Sequence, residues 1–143
     1  MVSQEKGVWF MYEVMIRTGF SAAHSLREYG GKCEDLHGHN FRVDVYARGK
    51  KLDNTGLTID FRILKEKTQT VLNQLDHKYL NEHPYFAEAN PSSENIAAYI
   101  FENLKDRLNK DNVIISKVTV WESESSCVSY FEESGSVMSR GME

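Results

Sequence analysis

The stretch that decides the fold of this chain is His37-Gly38-His39-Asn40-Phe41-Arg42-Val43-Asp44-Val45-Tyr46-Ala47-Arg48. From Phe41 onward apolar and polar residues alternate, which predicts a β-strand with one buried face. Extending the alternation upstream puts His37 and His39 on one face, where two imidazoles can hold a single metal ion. Gly38 lets a ligand or another backbone segment approach closely. We therefore expect a strand whose first residues bind a metal.

A third histidine, His24, follows a predicted strand at residues 11–22. Three of the five histidines fall between positions 24 and 39, and this clustering favours a shared ion. Three histidine ligands leave a fourth position open, the pattern of a catalytic zinc site. The alternative is that these histidines are only hydrogen-bonded or solvated polar side chains.

Cys33, four residues before His37, has three interpretations. It completes a closed four-ligand shell, which makes the zinc structural. Or it stands beside the ion with a lowered thiol pKa and acts as a base or nucleophile. Or it is an inert loop thiol.

The remaining elements follow from periodicity and capping residues. Asp60 and Ser92 are expected to cap two amphipathic helices, and residues 113–121 and 127–131 read as strands, with Cys127 in the core. Residues 76–81 read as a loop between the helices. The order strand, strand, helix, helix, strand, strand predicts an α+β fold, an antiparallel four-stranded sheet with both helices on one face.

Two further polar positions are weak signals by themselves. Asp76-His77 places a carboxylate beside an imidazole at a helix end, and the pair becomes a base and its orienting group only if the side chains meet. Otherwise it is a solvated helix terminus. Glu122 follows an apolar strand, where a carboxylate can accept two N–H groups from a planar ligand or remain an ordinary surface charge.

Composition excludes some classes of protein. The 143 residues carry a net charge of −4, which disfavours nucleic acid as the main partner because phosphate binding needs a basic face. No apolar run approaches the roughly 20 residues of a membrane span, and no signal peptide is evident, so we expect a cytoplasmic protein without membrane contact. The two cysteines, Cys33 and Cys127, are not expected to form a disulfide there.

Six ordered motifs resemble the 6-pyruvoyl-tetrahydropterin synthase and 6-carboxytetrahydropterin synthase family. They are Phe20-Ser21-Ala22-Ala23-His24, Cys33-Glu34-Asp35-Leu36-His37-Gly38-His39, Gly56-Leu57-Thr58-Ile59-Asp60-Phe61, Leu75-Asp76-His77-Lys78-Tyr79-Leu80-Asn81, Pro91-Ser92-Ser93-Glu94-Asn95 and Glu122. Ser92 and Ser123 stand where the family commonly has threonine, and both keep a hydroxyl.

The resemblance implies one tunnelling-fold (T-fold) domain over residues 1–143, with a core at 11–132, an N-terminal extension at 1–10 and a C-terminal tail at 134–143. It implies a homohexamer of two trimers with active sites between subunits. It also assigns roles to seven residues: zinc ligation to His24, His37 and His39, catalysis to Cys33, Asp76 and His77, and pterin binding to Glu122.

The implied substrate is 7,8-dihydroneopterin triphosphate. The compact spacing from Lys32 to His37 is more similar to the bacterial 6-carboxytetrahydropterin synthases of queuosine (7-deazaguanine) biosynthesis. That branch makes 6-carboxytetrahydropterin and releases acetaldehyde and triphosphate. The alternatives are the 6-pyruvoyl reaction, which only eliminates triphosphate, and a zinc-binding module without catalysis.

Overall fold

The computed structural model describes residues 4–5, 8–9, 11–31, 35–110 and 112–133. Within the predicted extension at 1–10, it describes two short antiparallel strands, β1 (Gln4–Glu5) and β2 (Val8–Trp9). The predicted tail at 134–143 lies outside the described residues, and so does Cys33.

A long antiparallel hairpin forms the centre of the main sheet. Strand β3 (Tyr12–His24) pairs with β4 (His37–Gly49) over its whole length, so that His24 is opposite His37 and Ala22 is opposite His39. The strand expected at 11–22 therefore extends to His24. Cross-strand neighbours share a face of the sheet, and the three histidines meet at one end of the hairpin.

The sheet contains five strands in the order β5-β3-β4-β6-β7, with β6 at Val113–Ser123 and β7 at Ser126–Phe131. Strand β5 (Lys78–Tyr79) runs parallel to β3. The prediction of four antiparallel strands is therefore wrong in the number of strands and in the direction of β5. The prediction that residues 76–81 are only a loop is also wrong, because β5 lies within them. A two-residue strand is too short to leave a periodic pattern, and it forms because β3 offers it a backbone edge.

Both predicted helix caps are confirmed. Helix α1 (Phe61–Leu72) begins after Asp60, whose side chain accepts the N–H of Arg62. Helix α2 (Ser93–Leu108) begins after Ser92, whose hydroxyl accepts the N–H of Asn95. Each cap satisfies a backbone N–H that the first helical turn leaves unpaired.

One apolar core lies between the helices and the sheet. Phe41, Val43 and Val45 of β4 pack into a single cluster with apolar residues of both helices, among them Leu64 and Phe101. Burial of each such side chain contributes about 1.5–3 kcal/mol to folding. No helix in the described part of the chain is long and apolar enough to cross a membrane.

Cys127 is exposed on β7, so the prediction that it is a core thiol is wrong. Its strand neighbours Val128 and Tyr130 are the partly buried residues of this strand. Cys127 belongs to the alternate set of positions, and strand alternation places it on the other face of the sheet.

Candidate metal centre

His24 is the buried member of the histidine cluster, with only 1% of its side chain exposed. Its Nδ1 lies 2.7 Å from the carbonyl oxygen of Pro91. A carbonyl can only accept, so Nδ1 carries the proton and the lone pair of the neutral ring is on Nε2. Burial lowers the pKa of His24, opposed by the bond to Pro91. The ring is thus held in the neutral form that a metal requires.

His37 and His39 lie beside His24 at the start of β4. Nδ1 of His37 is 2.7 Å from the carbonyl oxygen of Asp35, which leaves its Nε2 as the acceptor atom. The ring centroids of His37 and His39 are 4.5 and 5.3 Å from that of His24. The sheet register therefore brings together the three side chains that the sequence singled out.

Glu122 joins the cluster from β6. Its Oε1 lies 2.9 Å from Nε2 of His39 and 4.0 Å from Nε2 of His24. Its Oε2 accepts a hydrogen bond of 3.2 Å from the hydroxyl of Ser93, the first residue of α2. The carboxylate is thus placed by a strand and a helix at once.

The donor set fits a metal ion. One ligand atom from each of His24, His37, His39 and Glu122 lies within 4.8 Å of the others. Nε2 of His24 and of His39 is buried and has no hydrogen-bond partner within the described ranges. A buried polar atom without a partner is costly, and a bound cation removes that cost. Nitrogen and carboxylate ligands suit zinc.

Paired asparagine contacts hold the backbone around the site. Asn81 accepts the N–H of Ser25 and donates to its carbonyl, and Asn90 does the same for Arg27. The Arg27 guanidinium donates to the carbonyls of Phe86 and Ala89. These contacts tie the chain after His24 to the segment before α2, which carries Pro91.

Asp76 and His77 meet each other but not the histidine cluster. His77 Nδ1 is 3.0 Å from Asp76 Oδ1, and that oxygen accepts the N–H of Ser21 at 2.9 Å. The pKa of Asp76 is lowered mainly by this backbone N–H, opposed by burial and assisted by His77. His77 has a φ of 58°, a left-handed conformation unusual for a side-chain-bearing residue.

The pair is displaced from the metal ligands within one chain. Its anchor, Ser21, precedes His24 by three strand residues, a distance of about 10 Å along β3. The His77 side chain is 82% exposed and open to a second molecule.

Three positively charged side chains near the sequence motifs differ in their contacts. Arg17 forms an ion pair with Asp44, and Arg27 donates to backbone carbonyls. Lys78 is exposed.

Three contacts of the site could not be found from sequence. The carbonyls of Asp35 and Pro91 orient two histidines, and Ser93 orients Glu122. Backbone carbonyls leave no residue-type signal. In the sequence, Ser93 was only a neighbour of the predicted cap at Ser92 and a member of one family motif. Its closeness to Glu122 arises from packing of α2 on β6.

Known proteins resemble this chain over nearly all of the described part. A family model described as 6-pyruvoyl tetrahydropterin synthase matches residues 13–133. The 6-carboxy-5,6,7,8-tetrahydropterin synthase of Synechocystis sp. is 39% identical over 104 residues, which cover 69% of this chain and 77% of that protein. The 6-pyruvoyl tetrahydrobiopterin synthase of Drosophila melanogaster is 34% identical over 128 residues, covering 80% and 76%.

The fold is also that of a solved family structure. The 6-pyruvoyl tetrahydropterin synthase of Caenorhabditis elegans superposes with a TM-score of 0.78 at 29% identity, covering 86% of this chain and 96% of that one. Every predicted site residue, from His24 to Glu122, lies within the matched range. The chain therefore belongs to the 6-pyruvoyl tetrahydropterin synthase family.

Proposed function

We propose that this chain is a zinc-dependent 6-carboxy-5,6,7,8-tetrahydropterin synthase of queuosine (7-deazaguanine) biosynthesis. It would convert 7,8-dihydroneopterin triphosphate and water to 6-carboxytetrahydropterin, acetaldehyde and triphosphate. The observation that carries the proposal is the convergence of three histidines and Glu122 on one point. The Synechocystis relative, named for this activity, supports the choice of product.

His24, His37 and His39 would hold the zinc through their Nε2 atoms, since the other ring nitrogen of His24 and of His37 faces a carbonyl. When bound, the zinc supplies positive charge that lowers the pKa of the substrate's side-chain hydroxyls. The protein side chains supply the fixed geometry, because backbone carbonyls and the sheet hold the rings in place.

Glu122 would bind the amino and ring N–H edge of the pterin. The side chain is 37% exposed, so a ligand can reach it, and two carboxylate oxygens match two parallel N–H donors. The neighbouring histidines then set the distance between the pterin edge and the zinc-bound side chain of the substrate.

Cys33 would move protons at the substrate carbons, with Asp76 and His77 tuning it. Because the Asp76-His77 pair is anchored about 10 Å from His24 along β3, we propose that a neighbouring subunit supplies it to each zinc site. The exposed His77 ring and its left-handed backbone support a role outside its own chain's cluster, since strained exposed residues cluster at functional sites.

We further propose a homohexamer built from two trimers. Two features support assembly. Among the described residues, no strand pairs with the outer edge of β3 from Tyr12 to Ser21, because β5 begins its pairing at Ala22. At the opposite side of the sheet, β7 is the edge strand. Apolar side chains lie exposed near the open β3 edge, including Tyr12 and Met15 at 51% and 38%. Unpaired strand edges favour pairing with another chain.

The test is product identification. The zinc-loaded protein is incubated with 7,8-dihydroneopterin triphosphate, and products are identified by mass spectrometry with a separate acetaldehyde assay. We expect 6-carboxytetrahydropterin and acetaldehyde in equal amounts, and no turnover by His37→Ala. Turnover without acetaldehyde contradicts the carboxy assignment.

The alternative is the 6-pyruvoyl reaction, for which the Drosophila and Caenorhabditis relatives are named. Its product keeps the whole three-carbon side chain, so the same mass spectrum identifies it. A zinc-binding module without catalysis requires Cys33 as a fourth ligand. It predicts bound zinc, a Zn–S distance of about 2.3 Å by X-ray absorption, and no product.

A further inference from the structure

The position of Glu122 suggests a role besides pterin binding. In a tetrahedral zinc site with bonds of 2.0–2.2 Å, neighbouring ligand atoms lie about 3.4 Å apart. Oε1 of Glu122 is 2.9 Å from one histidine nitrogen and 4.0 Å from a second. These distances bracket the tetrahedral spacing, so Oε1 lies at the distance from His24 and His39 that a fourth ligand would have.

The contact between Glu122 and His39 does not have the geometry of a hydrogen bond. Although Oε1 is 2.9 Å from Nε2 of His39, that nitrogen has no hydrogen-bond partner among the described residues. The oxygen therefore lies off the direction in which a ring N–H would point. Two atoms that are close without facing each other are arranged like ligands that share an ion.

Ser93 holds the other carboxylate oxygen. Its hydroxyl is 3.2 Å from Oε2 of Glu122, and Ser93 is only 6% exposed. As the first residue of α2 it also places the carboxylate near the positive end of a 16-residue helix. With Oε2 engaged there, Oε1 is left facing the histidines.

We propose that Glu122 is a fourth zinc ligand in the substrate-free protein, with Ser93 as the residue that positions it. The inference rests on the proposed zinc site and deepens it. The Glu122 carboxylate then has two alternating roles, zinc binding and pterin binding. They alternate because an oxygen bound to zinc is not available to a pterin N–H. Substrate hydroxyls would then take the place of Glu122 at the zinc and free its carboxylate for the pterin edge.

The first experiment measures zinc affinity of the full chain by competition with a chelator of known affinity. We compare wild type with E122Q, E122A and S93A, and use E124Q as a matched control, since Glu124 is exposed in the β6–β7 turn. We expect at least a tenfold loss for both Glu122 variants. S93A should lose about two- to fivefold, the effect of one hydrogen bond, and E124Q should match wild type.

The second experiment reads the coordination directly. Co²⁺ replaces zinc, and the visible absorption bands are compared without substrate. E122Q and E122A should shift these bands, and E124Q should not. Unchanged bands and zinc affinity within twofold of wild type in both Glu122 variants overturn the inference. If H37A loses zinc in that case, the proposed three-histidine site stands without Glu122; if H37A also retains zinc, the site itself is wrong.

Discussion

Nδ1 of His24 donates to the carbonyl oxygen of Pro91 across 2.7 Å, between the end of β3 and the residue before the α2 cap. This bond has two consequences. It turns the lone pair of His24 toward His37 and His39, and it links the sheet to the segment that leads into α2. His24 is therefore both a predicted metal ligand and a structural contact.

The histidines should differ in what their loss does to the metal-free protein. H24A removes a buried ring and leaves the Pro91 carbonyl unpaired, so we expect a loss of about 2–4 kcal/mol in unfolding free energy. H37A, partly exposed, should cost less than about 1 kcal/mol. Both should lose zinc. Urea unfolding with a chelator present, together with metal analysis, checks this. Equal stabilities would contradict the structural role of His24.

Replacement of Cys33 separates catalysis from metal binding. If Cys33 moves protons, C33A should lower kcat by about 10²- to 10⁴-fold and keep its zinc. Metal analysis and steady-state kinetics on the same preparation make the measurement, with C127A on the exposed strand β7 as the matched control. Loss of zinc in C33A would favour the closed four-ligand site. Unchanged turnover would contradict the proton-moving role of Cys33.

The Asp76-His77 pair tests whether sites are shared between subunits. D76N should keep zinc but lose activity, because an amide cannot hold the His77 proton as the carboxylate does. H37A should be inactive through loss of zinc. Refolding the two inactive proteins together at equal amounts should then restore about a quarter of wild-type activity. In a random mixture, about a quarter of the sites combine the intact zinc ligands of a D76N chain with the intact Asp76-His77 pair of an H37A chain.

No recovery of activity in the refolded mixture would place both halves of the site in one chain, provided that the mixed oligomer forms. Native mass spectrometry of the same sample establishes that mixing occurred. The wild-type protein alone, refolded in parallel, serves as the control for activity lost during refolding.

Asp44 should make stability depend on pH. Burial favours a higher pKa for Asp44, but bonds from Arg17 and Trp121 outweigh it and lower the pKa below 3.8. A lowered folded-state pKa contributes stability that is present above the unfolded pKa and lost as pH falls through the folded value. D44N should cost about 1–3 kcal/mol at pH 7.

Chemical unfolding from pH 2 to pH 7 measures this difference. The gap between wild type and D44N should be constant above about pH 5 and shrink below pH 4. R17Q serves as a second variant, since it removes the guanidinium of Arg17, one of the two side chains that donate to Asp44. The other donor, Trp121 Nε1, remains 3.0 Å from the carboxylate. A gap independent of pH would show that Asp44 contributes by shape alone.

The sequence by itself determined the parts that depend on local periodicity. Alternation from Phe41 to Arg48 set one face of β4, and that face includes His37 and His39 because side chains in a strand repeat every second residue. Asp60 and Ser92 marked both helix starts, because a side-chain oxygen at that point satisfies a free N–H. The ordered motifs identified the family.

Only the tertiary structure decided what depends on contacts between distant segments. Strand β5 exists because β3 pairs with it, Glu122 faces the histidines because α2 presents Ser93 beside it, and Cys127 is exposed because of its position in the register of β7. Spacing along the chain tells which side chains share a face of one element. Which elements meet is decided by how the core packs and by which backbone groups remain to be paired. Neither can be predicted from any single segment of the sequence.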